Sequence, residues 1–84
     1  MSYKLLITRN AQKEMANLDN QYIKQIKSDI NLLSEEPRPF GYSKLKGRDG
    51  YRIKSGDYRV IYEIDDDKLE ITILHVGHRK DVYK

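Results

Sequence analysis

The 84-residue sequence contains no cysteine, so disulfides and thiolate zinc sites are excluded and no oxidising compartment is implied. Long apolar runs are also missing. Hydrophobic residues make up 38% of the chain and charged residues 35%, and no stretch approaches the roughly 20 apolar residues of a membrane-spanning helix. Residues 1–9, Met-Ser-Tyr-Lys-Leu-Leu-Ile-Thr-Arg, lack the apolar run of a signal peptide. These features lead us to expect a cytoplasmic protein with no membrane contact, forming one domain over residues 1–84 with a modest core. No glycine-rich phosphate loop precedes a helix, and no serine-centred nucleophile motif occurs. His75 and His78 have opposite strand parity and the clustered acids fall in a turn, so neither a metal site nor a cofactor is expected.

Basic charge is present and unevenly spread. The net charge is only +3, yet residues 44–59 hold six basic side chains (Lys44, Lys46, Arg48, Arg52, Lys54 and Arg59) against Asp49 and Asp57. Residues 63–70 reverse the balance, with Glu63, Asp65, Asp66, Asp67 and Glu70 against Lys68. Arg79, Lys80 and Lys84 against Asp81 make the end basic again. A local basic patch concentrates a polyanion even when net charge is small.

Residues 50–62, Gly-Tyr-Arg-Ile-Lys-Ser-Gly-Asp-Tyr-Arg-Val-Ile-Tyr, read as two strands around a tight turn. With Ser55-Gly56 as the loop, Lys54 faces Asp57, Ile53 faces Tyr58 and Arg52 faces Arg59. Tyr51, Ile53, Tyr58 and Val60 then share one side of the sheet, and Arg52, Lys54 and Arg59 share the other. Opposed arginines repel unless an anion sits over them, and a phosphate is the natural candidate.

The remaining chain reads as support for that face. Residues 3–8 form a first strand whose place in the sheet is not fixed by pattern. Thr8 caps a helix with Ala11, Met15 and Leu18 as its apolar stripe. A second helix starts at Asp19 or Asn20 and runs to about Glu36, with Tyr22, Ile23, Ile26, Ile30 and Leu33 as its stripe. It is ended by Pro37 and Pro39. Residues 40–50, punctuated by Gly41, Gly47 and Gly50, form a loop or irregular strand.

After the hairpin, a turn at residues 65–68 leads into a last strand over 69–76. Pairing Ile64 with Leu69 puts Tyr62 beside Ile71, Val60 beside Ile73 and Tyr58 beside His75. His75 is then a hydrogen-bonded structural histidine on the core side. Ile61, Thr72, Leu74 and Val76 join the cationic face, with His78 next in line. A bend at Gly77 would bring His78, Arg79 and Tyr83 back towards the arginines. The expected architecture is α+β, with two N-terminal helices on one face of a small, mostly antiparallel sheet. Its order is β-α-α-β-β-β, with room for a short C-terminal helical turn.

Metal-free RNA cleavage by the 2′-hydroxyl needs a base for the 2′ proton, cations for the charge building at phosphorus, and an acid for the leaving 5′ oxygen. Arg52 and Arg59 suit charge stabilisation, because guanidinium stays protonated and forks onto phosphate oxygens. Lys54 and His78 are both candidates for proton transfer. Tyr83 can stack on a base or orient the hydroxyl.

The hairpin at 50–62, the strand end Leu-His-Val-Gly-His-Arg at 74–79, the terminal Asp-Val-Tyr at 81–83 and the Leu45-Lys46-Gly47 loop together resemble the RelE branch of the RelE/ParE toxin superfamily. The resemblance covers nearly the whole chain. It implies a ribosome-dependent mRNA interferase that cleaves without metal in the ribosomal A site and is neutralised by a cognate antitoxin. The family's basic catalytic positions fall on Arg52, Lys54, Arg59 and Arg79, and its terminal aromatic on Tyr83. Lysine is familiar where this chain has Arg52, which removes that position as a base. Basic residues and histidine both occur around His78 in relatives. Lys44, Lys46 and Arg48 become the RNA-binding candidates. The alternatives are a ParE-type poison of DNA gyrase with the same fold, and a non-catalytic partner of an antitoxin in a repressor complex.

Overall fold

Thr8 marks the first change from strand to helix. In the computed structural model, which describes residues 2–82, strand β1 (Lys4–Ile7) ends just before it and helix α1 (Arg9–Ala16) begins just after it. Its hydroxyl accepts the Ala11 N–H at 3.1 Å, satisfying one of the helix's free donors. Helix α2 (Asn20–Leu33) has Asp19 at its N-cap position without a side-chain cap bond. This helix stops at Leu33, short of the expected Glu36. Ser34 turns its hydroxyl back onto the Asn31 carbonyl at 2.8 Å, and Pro37 disfavours helical geometry at the residue before it.

Four further strands follow: β2 (Ser43–Lys44), β3 (Tyr51–Ser55), β4 (Tyr58–Asp65) and β5 (Glu70–His78). The sheet order is β1-β5-β4-β3-β2. Strand β1 runs parallel to β5, and every other pairing is antiparallel. This is the α+β arrangement expected, with β2 as an added edge of two residues in the irregular 40–50 stretch. The apolar stripes Ala11 and Met15 of α1 and Ile26, Ile30 and Leu33 of α2 pack onto one face of the sheet. There they meet Ile53, Val60, Tyr62, Ile71, Ile73 and Val76. Tyr62 is fully buried; its hydroxyl donates to the Pro37 carbonyl at 2.7 Å, and burial raises its pKa. Among the described residues no helix is long and apolar enough to cross a membrane.

Two registers differ from the sequence expectation. In the first hairpin Ser55 pairs with Tyr58, so the loop is Gly56-Asp57 rather than Ser55-Gly56, and Arg59 faces Lys54 rather than Arg52. Gly56 has φ +61° and occupies the first central position, the place that a type II′ hairpin turn reserves for glycine. Ser55 is held in the strand: it is 5% exposed and donates to the Asp29 carboxylate on α2 at 2.6 Å. The slip is two residues, so every side chain keeps its face.

The second difference does change faces. Tyr62 pairs with Ile73 but Ile61 pairs with His75, leaving Leu74 as an extra residue in β5. Such a bulge sets two residues against one and inverts the alternation beyond it. Val76, expected beside the cations, is therefore a core residue at 1% exposure. His78 pairs with Tyr58 and Gly77 with Arg59, while His75 sits opposite Ile61 with its ring against α1. The start of the strand also moves. Leu69 sits in the turn with φ +56°, and Ile64 pairs with Ile71.

The β4–β5 turn is tied to the rest of the fold through Asp66. Its carboxylate takes a two-pronged bond from Arg38, at 2.9 and 3.4 Å, and the Tyr3 hydroxyl at 2.8 Å. These bonds, that of Arg38 foremost, hold the Asp66 carboxyl below the usual range. A depressed carboxylate pKa stabilises the fold above the unfolded-state value, and that stability is lost as pH falls through the folded-state value. Wild type should therefore exceed Asp66→Asn in urea midpoint at neutral pH, with the gap closing below about pH 4. Denaturation at pH 7, 4 and 2.5 checks this; a gap independent of pH would contradict it.

Candidate nucleic-acid interface

The face of the sheet away from the helices carries Arg52 and Lys54 from β3 and Arg59 from β4. Both arginines are oriented by a neighbour. Arg52 lies opposite Ser43 of β2, and its Nη2 donates to the Ser43 hydroxyl at 3.1 Å. Arg59 donates from Nη1 to the Gly56 carbonyl at 3.0 Å and to the Tyr58 carbonyl at 2.9 Å. These bonds draw its charge towards the turn, which eases the repulsion expected of a like-charged cross-strand pair with Lys54. Arg79 reaches the same end of the sheet through its backbone: its N–H donates to the Asp57 carbonyl at 2.9 Å.

Beyond Arg79 the chain makes one helical turn, with the N–H groups of Asp81 and Val82 donating to the His78 carbonyl at 2.8 and 3.0 Å. The Val82 side chain lies over Gly77, where an added Cβ would stand 3.6 Å from the Val82 Cβ. A groove of about 650 Å³ lies between this turn and the 43–48 segment. It is lined by Lys44, Leu45, Lys46, Arg48, Arg52 and Val82. The three RNA-binding candidates are thus brought together with Arg52, and among the described residues no carboxylate lines the groove. The acids gather elsewhere: Asp49, Glu63, Asp65, Asp66, Asp67 and Glu70 line a separate groove of similar volume. Arg59 and Asp65 are six residues apart on β4, about 20 Å at ~3.3 Å per residue, so the sheet is electrically polar along its strands.

His78 does not join the cations. The bulge turns its ring onto Tyr58, with centroids 5.6 Å apart at 80°, and its Nδ1 accepts the Lys80 N–H at 3.1 Å. His75 is hydrogen-bonded, its Nδ1 lying 3.1 Å from Asn10 Nδ2 of α1 and 3.5 Å from Glu14 Oε1. Tyr83 lies outside the described residues. Ser43 and Val82 were not anticipated from sequence. Ser43 is identified only once β2 is seen to pair with β3, and Val82 only once the chain is seen to turn after His78.

Residues 5–83 match the family described as "ParE toxin of type II toxin-antitoxin system, parDE". The chain is 34% identical to the mRNA interferase toxin RelE of Escherichia coli over 83 residues, which cover 95% of this chain and 86% of that one. Its structure is similar to the archaeal RelE–RelB complex from Pyrococcus horikoshii, with a TM-score of 0.83 at 31% identity, covering 98% of this chain and 100% of that one. The intact E. coli RelBE toxin–antitoxin complex gives 0.79 at 32% identity, covering 92% and 96%. The chain belongs to the RelE/ParE superfamily, the toxins of type II toxin–antitoxin systems. Within it, the similarity to RelE and to RelE–RelB complexes gives the RelE type.

The basic loop depends on one backbone position. Leu45 N–H donates to the Gly50 carbonyl at 3.0 Å, and Gly50 has φ +126°. A Cβ there would stand 3.0 Å from Leu45 Cδ1 and 3.4 Å from the Tyr62 carbonyl. Gly50→Ala should therefore cost more than about 1 kcal/mol and displace Leu45 in the groove wall. Chemical denaturation measures the first effect; an unchanged midpoint would contradict it.

Proposed function

We propose that this chain is a ribosome-dependent mRNA endonuclease, held in check by a cognate antitoxin, that cleaves without metal. The 2′ oxygen bonds to the adjacent phosphorus as the bond from phosphorus to the 5′ oxygen breaks. A base takes the 2′ proton and an acid protonates the 5′ oxygen, giving a 2′,3′-cyclic phosphate and a 5′-hydroxyl. The observation that carries this reading is the cationic face of Arg52, Lys54 and Arg59, with Arg79 tied to the same turn. Guanidinium forks suit the non-bridging oxygens of the phosphorane. Lys54 is the proton-exchanging candidate on that face, because His78 is turned against Tyr58 and His75 is engaged with Asn10. In this reading the ribosome supplies the in-line alignment of the 2′-hydroxyl. The relatives named mRNA interferase and the RelE–RelB complexes support the activity and the antitoxin partner.

A second reading is favoured by the family description, which names ParE: a toxin that poisons DNA gyrase on the same fold. Induced expression with mapping of mRNA 5′ ends separates the two. The interferase predicts new ends within translated codons and growth arrest. Arg79→Ala and Arg59→Ala should each lower cutting about 100-fold while antitoxin binding persists. Full cutting by both variants would refute the assignment of the site. DNA damage with intact transcripts would favour gyrase poisoning, and antitoxin binding without any growth defect a non-catalytic repressor partner.

A further inference from the structure

The bulge at Leu74 builds a second feature at the basic end of the sheet, on the helix side. By pairing His78 with Tyr58, it sets the imidazole edge-on against that tyrosine at 5.6 Å. Tyr58 in turn packs against Tyr22, from the first turn of α2, with ring centroids 5.1 Å apart and planes at 40°. Three rings from three elements form a continuous ladder whose outer member, Tyr22, is 42% exposed. The two inner rings fix the ladder, since both are partly buried and Tyr58 packs against the core cluster.

At its His78 end, two ring contacts from Tyr22, the ladder adjoins cations. His78 is followed by exposed Arg79 and Lys80, and Arg79 is fastened to the Asp57 carbonyl on the rim separating the ladder from Arg59. Aromatic rings available for stacking beside a track of cations are how proteins hold unpaired RNA, because every base has a π-face and every linkage a phosphate. Exposed Asp57 would repel a phosphate directly over the turn, which favours a path on the Arg79 and Lys80 side for a bound strand.

We propose that the exposed face of Tyr22 is a nucleobase subsite for a single-stranded RNA nucleotide flanking the cleaved one, with Arg79 and Lys80 holding the linking phosphates. The proposal rests on the mRNA-cleavage reading and adds to it a base contact on the opposite side of the sheet from the cationic face. Stacking on one aromatic ring is worth about tenfold or more in affinity.

The experiment measures cleavage of a defined mRNA on programmed ribosomes by wild type and by Tyr22→Ala, Tyr22→Leu, Tyr22→Phe and Tyr22→Trp. Antitoxin affinity and denaturation midpoint are recorded for each. Tyr22→Ala and Tyr22→Leu should both lose about tenfold in kcat/KM, and base preference next to the cut should weaken. Tyr22→Phe and Tyr22→Trp should retain wild-type rates. Leucine fills the side-chain volume without a π-face, so loss in that variant separates stacking from packing. Wild-type cleavage by Tyr22→Leu overturns the subsite, as does loss of antitoxin affinity in Tyr22→Ala with unchanged cleavage, which assigns the ring to the protein partner. If Tyr22 variants cut normally while Arg79→Ala does not, the subsite alone fails. If wild type cuts no mRNA, the activity reading and the subsite fall together.

Discussion

The extra residue that β5 absorbs at Leu74 fixes what each side of the sheet presents at its basic end. Before it, Ile71 and Ile73 point into the core; after it, Val76 does. A regular strand would send Val76 and His78 to the cationic face. The bulge instead gives Val76 to the core and His78 to Tyr58, and leaves Gly77 opposite Arg59. Gly77 has no side chain to fill the space beside that arginine, and the C-terminal turn can close over it through Val82. One inserted residue thus keeps His78 off the cationic face and sets it among the aromatic rings.

The charge arrangement follows from the same strands. Lys54 and Arg59 face each other, which a sheet tolerates only at some cost. The cost is moderated locally, since the Arg59 guanidinium is drawn onto turn carbonyls and Arg52 is drawn onto Ser43. Both contacts are made to neutral oxygens. At the opposite end, Asp66 is matched by Arg38 and Tyr3, which locks the acidic turn to the start of the chain. The acidic turn thereby serves the fold.

Much of this was readable from residues. The helical stripes, the Thr8 cap and the strand faces of β3 and β4 follow from local periodicity and side-chain chemistry. The hairpin register was misread by two residues because Ser55 looks like a turn residue, and only its contact with Asp29 of α2 shows why it stays in the strand. That error was harmless to the faces, since two is the period of a strand. The Leu74 bulge had real consequences and only an ambiguous signal. Apolar side chains at Ile71, Ile73, Leu74 and Val76 satisfy either alternation, so packing against the helices decides between them. Strand β2 is too short for any pattern, and the parallel pairing of β1 with β5 depends on contacts between the two ends of the chain. The grouping of Lys44, Lys46 and Arg48 with Arg52 was anticipated as a charge patch, whereas its wall at Val82 required the turn after His78.

The central chemical claim is that the cationic face stabilises a phosphorane formed by the RNA's own 2′-hydroxyl. Its most direct test is a ribosome programmed with two mRNAs that differ only in a single 2′-deoxynucleotide on the 5′ side of the mapped cut. The account predicts cleavage of the all-ribose message, with a cyclic phosphate on the upstream fragment, and no cleavage at the deoxy position. Equal cleavage of both messages would contradict it.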